Sequence, residues 1–170
     1  KYLSSKLSLN FNDNNRPNYD GSYFIYEKGI TSLNIGKVDR IWSFSKKSSL
    51  ILSPNSRPLE AISINLENRF NTKWLPSRAS WSFEFINGST KNSYNNKSSM
   101  LTGTRIILSP FERLNFEFLQ SAQWGDQKDK LYSTNIHSLL PINTNSGKNS
   151  SVNKMAGFGL SYSVPLNENI

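Results

Sequence analysis

The chain contains no cysteine, which removes disulfide frameworks and thiolate metal sites from consideration. It holds a single histidine, His137, so imidazole acid–base chemistry and zinc ligation have almost no material to work with. Among its 170 residues no stretch approaches the roughly 18 consecutive apolar residues of a membrane helix. Helical periodicity is scarce as well. The glycines do not form a strand, glycine-rich turn and helix unit, so nucleotide binding is unsupported. Lys and Arg are dispersed, with Lys46-Lys47 the one adjacent pair, and no basic helix or nucleic-acid module is present.

What the chain does have is a period of two. Leu7, Leu9 and Phe11 alternate with polar residues, as do Ile62, Ile64 and Leu66, then Trp81, Phe83 and Phe85. Leu114, Phe116 and Phe118 follow, and Phe158, Leu160, Tyr162 and Val164 close the series. Such alternation marks strands with one apolar and one polar face. Less regular strand patterns lie near Ser22–Glu27, Ile30–Gly36, Ser49–Ser53 and Leu101–Ser109, for about nine strands in all.

Connections come in two sizes. Glu27-Lys28-Gly29 and Pro110-Phe111-Glu112 read as tight turns, with Gly and Pro supplying the backbone angles. Asn12–Asp20, Asn87–Ser99 and Gly125–Asn153 are long, polar and rich in Asn and Ser. Short turns at one end and long loops at the other are the habit of a bacterial outer-membrane barrel. A structureless loop of that length is unusual in a compact soluble domain. Trp74, Trp81, Trp124 and Tyr132 fall at or near strand ends, where an interfacial aromatic girdle sits. The expected fold is therefore all-β: an antiparallel up-and-down sheet, a partial transmembrane β-barrel of about nine strands.

Mean hydropathy is −0.54, with 36% hydrophobic residues. A membrane barrel tolerates this, because only alternate side chains meet lipid. The 28 serines and 22 asparagines suit a wet lumen and polar loops, and an AT-rich genome would also produce them. The net charge of +8 fits an anionic partner, either an acidic polysaccharide or a lipopolysaccharide surface, and codon bias towards Lys would produce the same number.

One stretch is more specific. Asp39-Arg40-Ile41-Trp42, a polar turn, and Ser49-Leu50-Ile51-Leu52-Ser53-Pro54-Asn55-Ser56-Arg57-Pro58 resemble the signature block of the capsule assembly Wzi family. The likeness continues in order through Trp74-Leu75, Trp81-Ser82-Phe83, Gly103-Thr104-Arg105-Ile106, Gln123-Trp124-Gly125 and Ala156-Gly157-Phe158. Four positions depart from the family pattern: Ser43-Phe44 stand where Gly-Pro is usual, Asp126 where Gly is common, and Gly159 where Asp is usual.

The resemblance implies a protein of the bacterial outer membrane and cell surface, a β-barrel lectin that attaches capsular or extracellular polysaccharide. Its implied partners are that glycan, outer-membrane lipid and lipopolysaccharide, with no nucleic acid, no cofactor and no enzymatic activity. An exported barrel needs a signal peptide, and Lys1–Ser8 has no apolar signal core. We therefore expect residues 1–170 to be one partial barrel domain inside a longer chain. A general outer-membrane porin is the rival reading. A soluble carbohydrate-binding sandwich and a barrel hydrolase stand further off.

Candidate polysaccharide contacts are Asp39, Arg40, Trp42, Asn55, Arg57 and Trp124. A carboxylate and a forked guanidinium take sugar hydroxyls, and an aromatic plane takes their C–H faces. The competing reading has Asp39 and Arg40 pinning a strand end while Trp42 anchors an interface. Glu84 and Glu117 lie on polar strand faces and raise a glycosidase pair, but carboxylates there more often pair with a cation, for which Arg105 is the natural partner. His137 beside Ser138 lacks an orienting third group and reads as a loop residue.

Overall fold

A computed structural model describes residues 1–11, 17–40, 42–44, 58–91, 98–125 and 152–164. Ten strands run in chain order: β1 (Tyr2–Lys6), β2 (Asn10–Phe11), β3 (Pro17–Asn18), β4 (Tyr23–Lys28), β5 (Thr31–Val38), β6 (Leu59–Arg69), β7 (Ser80–Lys91), β8 (Ser98–Phe111), β9 (Leu114–Gly125) and β10 (Val152–Tyr162). Eight of them form one antiparallel sheet in the order β1-β4-β5-β6-β7-β8-β9-β10, and β2 and β3 make a separate pair. Apart from that excursion, every strand pairs with its neighbour in sequence. The sheet is open, a partial barrel as its alternation suggested.

The register fixes two faces, because adjacent side chains on a strand point to opposite sides. Ile64 opposes Phe85 and Leu66 opposes Phe83. Phe83 opposes Ile106, Ile106 opposes Phe118, and Phe118 opposes Phe158. Ile62, Trp81, Leu114, Phe116, Leu160 and Tyr162 share that outward face. The band is open to its surroundings: Ile62 is 50% exposed, Phe118 46% and Phe158 61%. Within it Phe118 and Phe158 meet at a centroid separation of 5.3 Å. So much contiguous apolar surface suits lipid as the solvent.

The other face carries the polar partners and the small buried core. Trp42, Leu59, Ala61, Ile86 and Leu101 form that core, with Leu119 packed against it. Ser63, Glu117 and Ser121 are buried on the same face.

The two ends differ, with one correction to the pattern: β7 runs on to Lys91 and β8 begins at Ser98, so much of the loop expected over Asn87–Ser99 is strand. Lys28 pairs with Thr31 around Gly29, whose φ of 59° lies in the left-handed region and is costly for a residue with a Cβ. Phe111 pairs with Leu114, after a register shift that accommodates Pro110. The β6–β7 connection is closed by Phe70 N–H donating to Ala79 O at 2.9 Å. Trp74 lies in it, and Trp81 follows near the start of β7. The longer connections, β1–β4, β5–β6 and β9–β10, all leave from the opposite end.

One element sits differently from expectation. Leu7, Leu9 and Phe11 do not extend the main sheet; the ladder there runs through Tyr2–Lys6, paired with Tyr23–Glu27. Ser8 breaks the line by donating its N–H to Ser22 Oγ and accepting from it at its carbonyl. The Ser49–Ser53 strand pattern, most of the loop expected over Gly125–Asn153, Tyr132 and His137 lie outside the described residues.

Candidate functional site

The root of the β5–β6 connection turns onto the polar face and packs into its small core. Trp42 is 2% exposed, and its indole N–H donates to Glu84 Oε2 at 2.9 Å. Its ring lies over Gly103, where an added Cβ would meet Cη2 at 2.4 Å. A glycine inside a long central strand weakens that strand, so a close approach is its usual reason. Here the approach is the tryptophan ring.

Arg40 works on the same root. Its Nη1 donates to Val38 O at 3.1 Å and to Leu59 O at 3.0 Å, tying the end of β5 to the start of β6. Burial lowers the guanidinium pKa from its ordinary value, and the nearby Glu84 carboxylate works in the opposite direction. Asp39 is exposed beside it.

Below Trp42 the charges alternate. Glu84 opposes Arg105 directly in register. Arg105 binds Glu117 through Nε at 2.6 Å and Nη2 at 2.5 Å, both to Oε1. Glu117 is 2% exposed, so removing Arg105 would strand a buried carboxylate. Gly159 faces it: a Cβ there would stand 2.8 Å from Glu117 Oε2. The Asp usual at this position would add a like charge, and the glycine removes it. The two carboxylates are thus held by an indole and a guanidinium, as structural pairing requires. Among the described residues no cluster of His, Cys, Asp or Glu could hold a metal.

Of the six sequence candidates, the structure brings Arg40 and Trp42 together at one root, with Asp39 exposed next to them. Asn55, Arg57 and the side chain of Trp124 lie outside the described residues. With its ring covered, Trp42 anchors the connection and offers no stacking plane. Glu84, Gly103 and Glu117 complete the constellation. Gly103 was legible as a member of a family block inside a less regular strand pattern, and its contact with Trp42 was not.

These features define a class: an all-β protein whose open antiparallel sheet turns an apolar band outward and seats a returning connection on its polar inner face. A family model described as capsule assembly protein Wzi matches residues 1–170, and the chain belongs to that family. Membership sets it among capsule-related outer-membrane proteins, and the all-β sheet is compatible with that setting. No curated protein and no solved structure matches the chain.

Proposed function

We propose that the complete protein holds capsular or extracellular polysaccharide at the bacterial cell surface by non-covalent contact, forming and breaking no covalent bond. The connection from Asp39 to Pro58 supplies part of the grip. The observation that carries this reading is the pinned root of that connection. Arg40 ties its two flanking strands and Trp42 is locked between Glu84 and Gly103, so the residues beyond leave a fixed base. Pre-organisation of this kind lowers the ordering cost of binding.

Asp39, Asn55 and Arg57 are the hydroxyl-binding side chains of the segment, with Trp124 as the stacking candidate. Arg40 and Trp42 position them. The +8 charge favours an acidic glycan.

Replacing Asp39 or Arg57 by Ala should lower cell-retained polysaccharide severalfold while total secreted polysaccharide stays constant. Heat-modifiable gel migration reports whether the barrel still folds. Well-folded variants with normal capsule would remove this segment from the binding site.

A further inference from the structure

The short-turn end of the polar face carries a cleft of about 750 Å³ that holds charges of both signs. The register builds it across β4 to β7. Glu27 opposes Ser32 and Ser32 opposes Asn65, so these three share one row. Further along β6, Glu67 and Arg69 follow Asn65 on the same face, and Arg69 opposes Ser80. All six line the cleft. Arg78 lines it too, but its guanidinium already binds Glu112 on the neighbouring turn.

Three charges remain for a ligand. Glu27, Glu67 and Arg69 are exposed, and among the described residues none of them has an ion-pair partner. In the floor, Asn65 Oδ1 is buried and accepts no hydrogen bond, which native structures rarely leave unanswered. The pleat sets the spacing. Glu67 and Arg69 stand roughly 7 Å apart along β6, and Glu27, two strands across, lies roughly 10 Å from that row.

These charges select the ligand. Two carboxylates repel an acidic glycan or a phosphate, so neither an acidic capsular polymer nor a lipid head fits here. They attract an ammonium, while the guanidinium of Arg69 takes a carboxylate. A short peptide with a free amine and free carboxylates satisfies both. At about 3.3–3.6 Å per residue, about three extended residues span the cleft. In an outer-membrane barrel the short turns face the periplasm, where the stem peptide of peptidoglycan has this chemistry. We propose that the cleft binds that stem peptide and so tethers the barrel to the cell wall. Its ammonium lies between Glu27 and Glu67, a carboxylate meets Arg69, and a peptide N–H donates to Asn65 Oδ1. The inference goes beyond polysaccharide holding and rests on the outer-membrane setting of the family.

The test titrates the full-length protein in detergent with the tripeptide L-Ala-γ-D-Glu-meso-diaminopimelate by calorimetry, and sediments it with purified cell-wall sacculi. The wild type should bind one tripeptide per chain, more weakly as salt rises, and should co-sediment with sacculi. Glu27→Gln with Glu67→Gln, and separately Arg69→Gln, should each lower tripeptide affinity at least tenfold and release the protein from sacculi. Lys28→Gln, on the other face of the same hairpin, should leave both readouts unchanged. Normal heat-modifiable migration of the variants confirms folding. Unchanged affinity in either cleft variant would overturn the proposal, as would no binding by wild type. Free diaminopimelate binding as tightly as the tripeptide would also overturn it, since the site would then read a lone amino acid. Reaction of a Lys73→Cys variant with an impermeant maleimide on intact cells would put the short turns outside the cell and overturn it as well.

Discussion

Trp42 and Gly103 should behave as one unit. A methyl group added at Gly103 would stand 2.4 Å from Trp42 Cη2, 2.6 Å from Cζ3 and 3.1 Å from Ile86 Cγ2. The two ring contacts are impossible without movement, while the isoleucine contact is merely tight. Gly103→Ala must therefore push the indole off its seat, and overpacking of this kind costs about 1–3 kcal/mol. Displacing the ring also lengthens the 2.9 Å hydrogen bond to Glu84. Trp42→Ala removes the ring and leaves a cavity, for which about 3–5 kcal/mol is expected. With the ring gone, the added methyl has room. The double variant should then be no less stable than Trp42→Ala alone, giving a coupling energy of about 1–3 kcal/mol. Urea unfolding of the full-length protein in detergent micelles, followed by tryptophan fluorescence or gel migration, measures all four corners of the cycle. Strictly additive costs would refute the packing described here.

Arg105→Leu should destabilise by about 3–5 kcal/mol by stranding the buried Glu117 carboxylate, and adding Glu117→Leu should recover most of that loss; thermal unfolding of both variants decides. Phe118→Lys, on the outward band, should cost about 2–4 kcal/mol in lipid, whereas Thr104→Lys, nearer the polar end of the same face, should cost less. Reversible folding into vesicles gives both values. Gly29→Val forces a branched side chain into φ near +59° and should lower stability by about 1–2 kcal/mol, visible as a lower urea midpoint.

The sheet was legible because one face is apolar and the other polar on strand after strand. Ile62 to Leu66, Trp81 to Phe85 and Leu114 to Phe118 each repeat with period two, and the register aligns them on one face. Leu7 to Phe11 carries the same period and lies outside the main sheet. Periodicity records which residues are apolar, not which backbone groups are paired, and Ser8 bonds Ser22 instead of a ladder partner. The inner site was half legible. Arg105 was the expected cation, and its partner is Glu117. The seat of Trp42 was harder, since Gly103 lies 61 positions further along (103 − 42) and nothing local links the two. The family blocks mark both residues, but only the fold brings them together.

The function is tested most directly by deleting the whole gene in its own strain and measuring how polysaccharide divides between cells and medium. The account predicts that total polysaccharide is unchanged, that the cell-bound share falls sharply, and that the wild-type gene restores it. An unchanged cell-bound share would contradict the holding role and favour a plain channel.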